Sequence, residues 1–175
     1  MNFGGTMPYG IFPRSLMVYG LGTMGFHFGD MLNQTFIKER TSDFYEMSLH
    51  HIATLALYFT MVYGNNLGVG CVIAYLHDIA DIMQTATKVA VSTKFETLPV
   101  VCFVLVLTSW FWTRLYVFPQ IIYRIMTDEF DDSIWLWARL NGVFLSVLLS
   151  LHIYWFCLLI LIGLHKARTG KAEDI

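Results

Sequence analysis

The chain has 175 residues, 56% of them hydrophobic, 16% aromatic and only 14% charged, with a formal net charge of −2. Soluble domains carry about a quarter charged residues, so this much apolar surface has no place in one small aqueous core, and a bilayer is its simplest sink. A slightly acidic chain lacks the basic face that nucleic acid requires, and Cys71, Cys102 and Cys157, all in apolar stretches, give neither a disulfide framework nor metal-ligand spacing.

Taken in order, five spans are predicted, at about 10–29, 46–64, 69–91, 97–118 and 136–164. Each has about the 20 residues that cross a hydrocarbon core, and the last is longer than a span needs. Together they make an all-α, multi-pass transmembrane helical bundle and a single domain over 1–175. The first span contains Pro13, Arg14 and several glycines; the last opens on SIWLWARL, whose tryptophans suit the interface. The opening MNFGGTMPYG has no basic leader and no cleavage pattern, so no signal peptide is expected.

With five spans the ends lie on opposite sides of the membrane. Lys38, Arg40, Lys88, Lys94, Lys166, Arg168 and Lys171 then share the side of the C-terminus, whereas the main loop of the other side, TDEFDD, is acidic. The positive-inside rule puts the C-terminus in the cytosol, or in the matrix of a mitochondrion. The triplet Asn33-Gln34-Thr35 then falls on the inside, where it would not be glycosylated.

The second and third spans hold the chemistry. His50 and His51 sit in one, and His77, Asp78 and Asp81 in the next. Ionisable groups at membrane depth are costly, so such a cluster marks a functional site. The tight turn GNNLG joins the two spans and predicts antiparallel neighbours, with His50 level with Asp81 and Thr54 level with His77. An imidazole beside a carboxylate is held in one tautomer and favoured as the cation formed on proton uptake. The plainer alternative is a polar contact gluing two helices. A metal centre lacks the repeated histidine clusters it would need, with His27 and His165 at span ends and His152 alone on the last span. No nucleophile elbow surrounds Ser48, and no phosphate loop is present.

From Arg40 to Pro119 the chain resembles the Lag1 motif of ceramide synthases, in the TLC (TRAM, Lag1, CLN8) domain family. Arg40, Asp43, Phe44, Glu46, Met47, His50, His51 and Thr54 match its first half. Val69, Gly70, His77, Asp78 and Asp81 match its second, followed by Lys88, Arg114-Leu115 and Phe118-Pro119. Downstream, Asn141 and then Leu151, His152 and Trp155 are similar to the family's last helix. Gly68 and Thr85 depart from the pattern, and little chain precedes the histidine pair. The resemblance therefore implies a reduced TLC-type fold, with the acyl tunnel open or completed by a partner membrane protein.

The implied activity is N-acyl transfer from acyl-CoA, as cosubstrate, to a sphingoid-type amine, with no bound cofactor and no metal. His50, His51, His77, Asp78 and Asp81 are the implied catalytic residues. Arg40, Thr54, Lys88, Arg114, His152 and Trp155 are the implied substrate-binding ones. An enzyme of this kind belongs in the endoplasmic reticulum, among membrane lipids. The alternatives are a non-catalytic accessory subunit of a larger assembly, such as one in the mitochondrial inner membrane, and a lipid-binding relative.

Overall fold

The computed structural model describes residues 13–64, 67–95, 97–130 and 132–169. They are all-α: α1 (Arg14–Phe36), α2 (Phe44–Tyr63), α3 (Leu67–Val91), α4 (Thr97–Trp110), a π-helical segment (Phe111–Val117), α5 (Phe118–Thr127) and α6 (Asp132–Thr169). Because α4, the π segment and α5 run on as one 31-residue rod, the described residues form five rods. The Asn65-Asn66 turn tip, the first 12 residues and Lys171 lie outside the described residues.

Three rods, Leu67–Val91, Thr97–Thr127 and Trp135–Thr169, are long and apolar enough to cross a membrane. α1 and α2 have the length, at 23 and 20 residues, but carry more polar groups. Their exposed faces are nevertheless apolar, with Phe26, Phe28, Ile52 and Phe59 uncovered, as expected of rods whose solvent is lipid. This is an integral membrane protein.

Local chemistry sets the rod ends. Pro13 precedes α1 with an extended backbone (φ −51°, ψ 136°), since a proline opens a helix without losing a bond. Glu46 lies in the first turn of α2 and Lys88 in the last turn of α3. α6 has Asp132 at its start and Lys166 and Arg168 at its end. Each charge opposes the helix dipole at its own end. At 38 residues α6 is about 57 Å long, beyond a hydrocarbon core of roughly 30 Å. The rod that opens with α4 extends past the expected end at 118. Pro119 lacks the N–H that an α-helix would need at that point, and the π segment before it absorbs the mismatch.

Contacts divide the chain into two compact units. In the first, residues 1–74 and 120–148, α1 packs on α2, and the Gln34 side chain donates to the Phe44 carbonyl at 3.4 Å. Gly20 lets α1 approach α3: a Cβ there would stand 3.0 Å from Leu67 Cδ1. Thr60 on α2 meets Asn141 on α6, both buried. The Thr60 hydroxyl donates to the Asn141 side-chain oxygen and also lies 2.9 Å from the Leu57 carbonyl. The second unit, residues 75–119 and 149–175, is built on Phe118, Leu151, His152, Val106 and Trp110, all buried.

Candidate functional site

Two groups of histidines stand out, one in each unit. In the second unit His77 projects from α3 and His152 from α6, and their Nε2 atoms meet at 2.7 Å. At that distance one ring donates and the other accepts, so a single proton lies between them. His152 is completely buried and His77 half-buried. Aromatic rings enclose the pair: Phe118 lies edge-on to His77 at 5.3 Å, Trp110 edge-on to His152 at 5.9 Å, and Trp155 tilts over His152 at 6.1 Å.

Beside the pair lies a buried arginine. Arg114 is 4% exposed in a rod that spans the membrane, where an unpaired charge is costly. It forms an ion pair with Asp81, donates to the His77 carbonyl at 3.3 Å, and stacks over the Trp110 ring at 3.9 Å. Asp81 is about half exposed. Within their own unit, then, His77 and Asp81 are partnered by His152 and Arg114.

The register of this rod brings Arg114 inward. Val106, Trp110, Arg114, Phe118 and Ile122 are all buried and lie at strict four-residue spacing. On an α-helix each such step drifts by about 40°, so the stripe would wind away from the interior. The wider π turns of Phe111–Val117 counter that drift and hold the stripe on one face.

The first unit holds His27 on α1 and His50 and His51 on α2, with ring centroids 5.6–6.3 Å apart. His51 is 2% exposed, and among the described residues neither of its ring nitrogens has a hydrogen-bond partner. Its Nε2 lies 3.6 Å from an oxygen of Asp30, which also pairs with Lys38 at 3.5 Å. Thr54, one turn from His50, is buried with its hydroxyl likewise unpartnered among the described residues. Arg40 is exposed with its guanidinium 5.1 Å from the Phe44 ring, Lys88 is exposed, and Asp78 is half-buried on α3. Among the described residues no group of three or more His, Cys, Asp and Glu is arranged to hold a metal ion.

Two readings of the sequence need correction. His152 stands alone on its span but is not solitary in space, since its ring bonds His77 of α3, 75 residues away. His27 is not at a span end, because α1 continues to Phe36. Asp30 and Trp110 were missed. Asp30 had a legible signal, lying one turn beyond His27 on the same helix face. For Trp110 the signal was the four-residue stripe through Arg114.

The chain belongs to the TLC-domain family, whose domain model matches residues 3–161. Among curated proteins it is 31% identical to ceramide synthase hyl-2 of Caenorhabditis elegans, over 96% of this chain and 55% of that protein. It is 30% identical to ceramide synthase 4 of Mus musculus, over 96% of this chain and 43% of the mouse protein. It is 29% identical to ceramide synthase LOH2 of Arabidopsis thaliana, over 92% of this chain and 57% of the plant protein. The chain thus spans about half the length of the curated relatives it matches. No solved structure matches it.

Proposed function

We propose that this protein is a ceramide synthase-like N-acyltransferase, moving a fatty acyl group from acyl-CoA to the amine of a sphingoid-type base. The buried His77–His152 imidazole pair carries this reading. An ammonium group must lose a proton before its nitrogen can attack a thioester carbonyl. An imidazole, whose ordinary pKa lies near neutrality, is suited to take it. Attack forms the C–N bond and an oxyanion, and collapse breaks the C–S bond and releases the CoA thiolate, which accepts a proton. Contact with His77 spreads the charge on His152 over two rings, and the surrounding aromatic side chains exclude water.

Arg114 and Asp81 act as positioning residues in this scheme, and Asp78 as a half-buried carboxylate that stabilises a nearby cation. His50 and His51 are candidates, in their own unit, for proton acceptor or transient acyl carrier. The enzyme would lie in the endoplasmic reticulum with its C-terminus in the cytosol. Its substrates suit a membrane setting, since each has one polar head and an apolar chain.

The test supplies purified protein in lipid nanodiscs with acyl-CoA and a long-chain amino-alcohol base, and measures N-acylated product by mass spectrometry. Product that depends on His77 supports the reading. Tight binding of the amine without product would instead support a lipid-binding relative.

A further inference from the structure

The rod that carries Trp110 and Arg114 holds both histidines by their backbones. Trp110 Nε1 donates to the carbonyl of His152 at 3.2 Å, and Arg114 Nη2 donates to the carbonyl of His77 at 3.3 Å. The two donors are stacked on each other, with the guanidinium carbon 3.9 Å from the ring centroid. A helical carbonyl already accepts one N–H from the next turn but has a second lone pair to offer. The two carbonyls that receive these extra bonds belong to the residues whose side chains meet at 2.7 Å.

We infer that the stacked Trp110–Arg114 pair is a positioning clamp that sets the separation and ring orientation of His77 and His152. Each donor grips a different helix, α6 for Trp110 and α3 for Arg114, so the stack determines the distance between those helices at the level of the two rings. Arginine suits its place because Nη2 alone carries two N–H groups, one for the Asp81 carboxylate and one for the His77 carbonyl, while the planar guanidinium lies on an indole. A lysine could hold Asp81 but has no planar face to stack on the indole. The π segment is part of the device: it keeps Arg114 on the face of Trp110 while Phe118 closes against both imidazoles, at 5.3 and 5.7 Å.

The test uses the full chain in lipid nanodiscs with ¹⁵N-labelled histidine. The N–H proton between the two rings gives a strongly downfield imidazole signal, assigned by its loss in His77→Gln and His152→Gln. Trp110→Phe keeps an aromatic face for the stack and removes the indole N–H, at the cost of a smaller ring in a buried position. It is expected to remain folded, with a lowered thermal unfolding midpoint, while moving the shared-proton signal upfield and broadening it. Arg114→Lys, which keeps the charge opposite Asp81, is expected to do the same.

The consequence for catalysis rests on the acyl-transfer reading: kcat should fall about 10- to 100-fold with KM unchanged, as for a mispositioned catalytic group. An unchanged signal in both variants, or no shared-proton signal in the parent, would overturn the clamp. A shifted signal in a protein that forms no amide would uphold the clamp and reject only the acyl-transfer reading.

Discussion

His51 and His152 are both buried imidazoles in a membrane protein, and they are treated in opposite ways. His152 bonds His77 through its side chain and receives an indole N–H on its backbone. His51 has no hydrogen-bond partner for either ring nitrogen among the described residues, and its nearest carboxylate, on Asp30, is 3.6 Å away. A buried polar group left unpaired costs about 1–3 kcal/mol. The second unit thus holds a bonded network that ties His152, His77, Trp110, Arg114 and Asp81 together. The first holds an imidazole with ring neighbours in His27 and His50 and a carboxylate at 3.6 Å, but with no hydrogen bond to either ring nitrogen among the described residues.

The largest expected effect separates the two groups by chemistry. His77→Ala or His152→Ala should lower amide formation by about 10²- to 10⁴-fold, the usual cost of a positioned acid–base group. The same substitutions at His50 and His51 test whether the first unit takes part. Parent-like rates in both His50→Ala and His51→Ala would assign the chemistry to the second unit alone.

Stability sharpens the contrast. Asp81→Asn leaves the buried Arg114 guanidinium without its countercharge and should cost about 1–3 kcal/mol, less than a fully buried pair because Asp81 is half exposed. His152→Leu strands the facing nitrogen of His77 and should destabilise by about 1–2 kcal/mol. His51→Leu is expected to go the other way, neutral or stabilising by up to about 1 kcal/mol, because it removes an unsatisfied group and adds apolar contact. Denaturant unfolding in a fixed detergent checks both signs. Equal losses at His51 and His152 would erase the difference between the units.

The smallest effects concern packing. At Gly64 a Cβ would stand 2.8 Å from the Thr60 carbonyl oxygen and 2.8 Å from Trp137 Cβ. Neither atom is a flexible end, so Gly64→Ala should cost about 1–3 kcal/mol. Gly22 has nothing within 4 Å, and Gly22→Ala should stabilise α1 by roughly 1 kcal/mol through helix propensity. Thermal unfolding of the two variants, scored against the parent, measures both.

Much of this was legible in the sequence, for physical reasons. Low charge and long apolar runs specify helices in lipid whatever their packing, and the rods from α2 onward begin within four residues of where the hydropathy places them. The polar residues His50, His51, His77, Asp78 and Asp81 stood out because each is expensive in its setting. Their partners did not. Which side chain meets His77 depends on how each rod is rotated, and a π segment shifts that rotation without leaving a period in the sequence. Hence Arg114 could be named but not paired with Asp81, and His152 looked solitary although it is half of the central pair. The Thr60–Asn141 contact was hidden for the same reason, with 81 residues between its partners.

The most direct test is amide formation by the parent protein itself. Purified chain in nanodiscs is given an acyl-CoA with a ¹³C-labelled carbonyl and a long-chain amino-alcohol, and free fatty acid, amide and CoA thiol are quantified together. The expected result is labelled amide and CoA thiol in equal amounts, with a rate that collapses in His77→Ala although the variant remains folded. Tight binding of both substrates with no labelled amide above the protein-free control would contradict it.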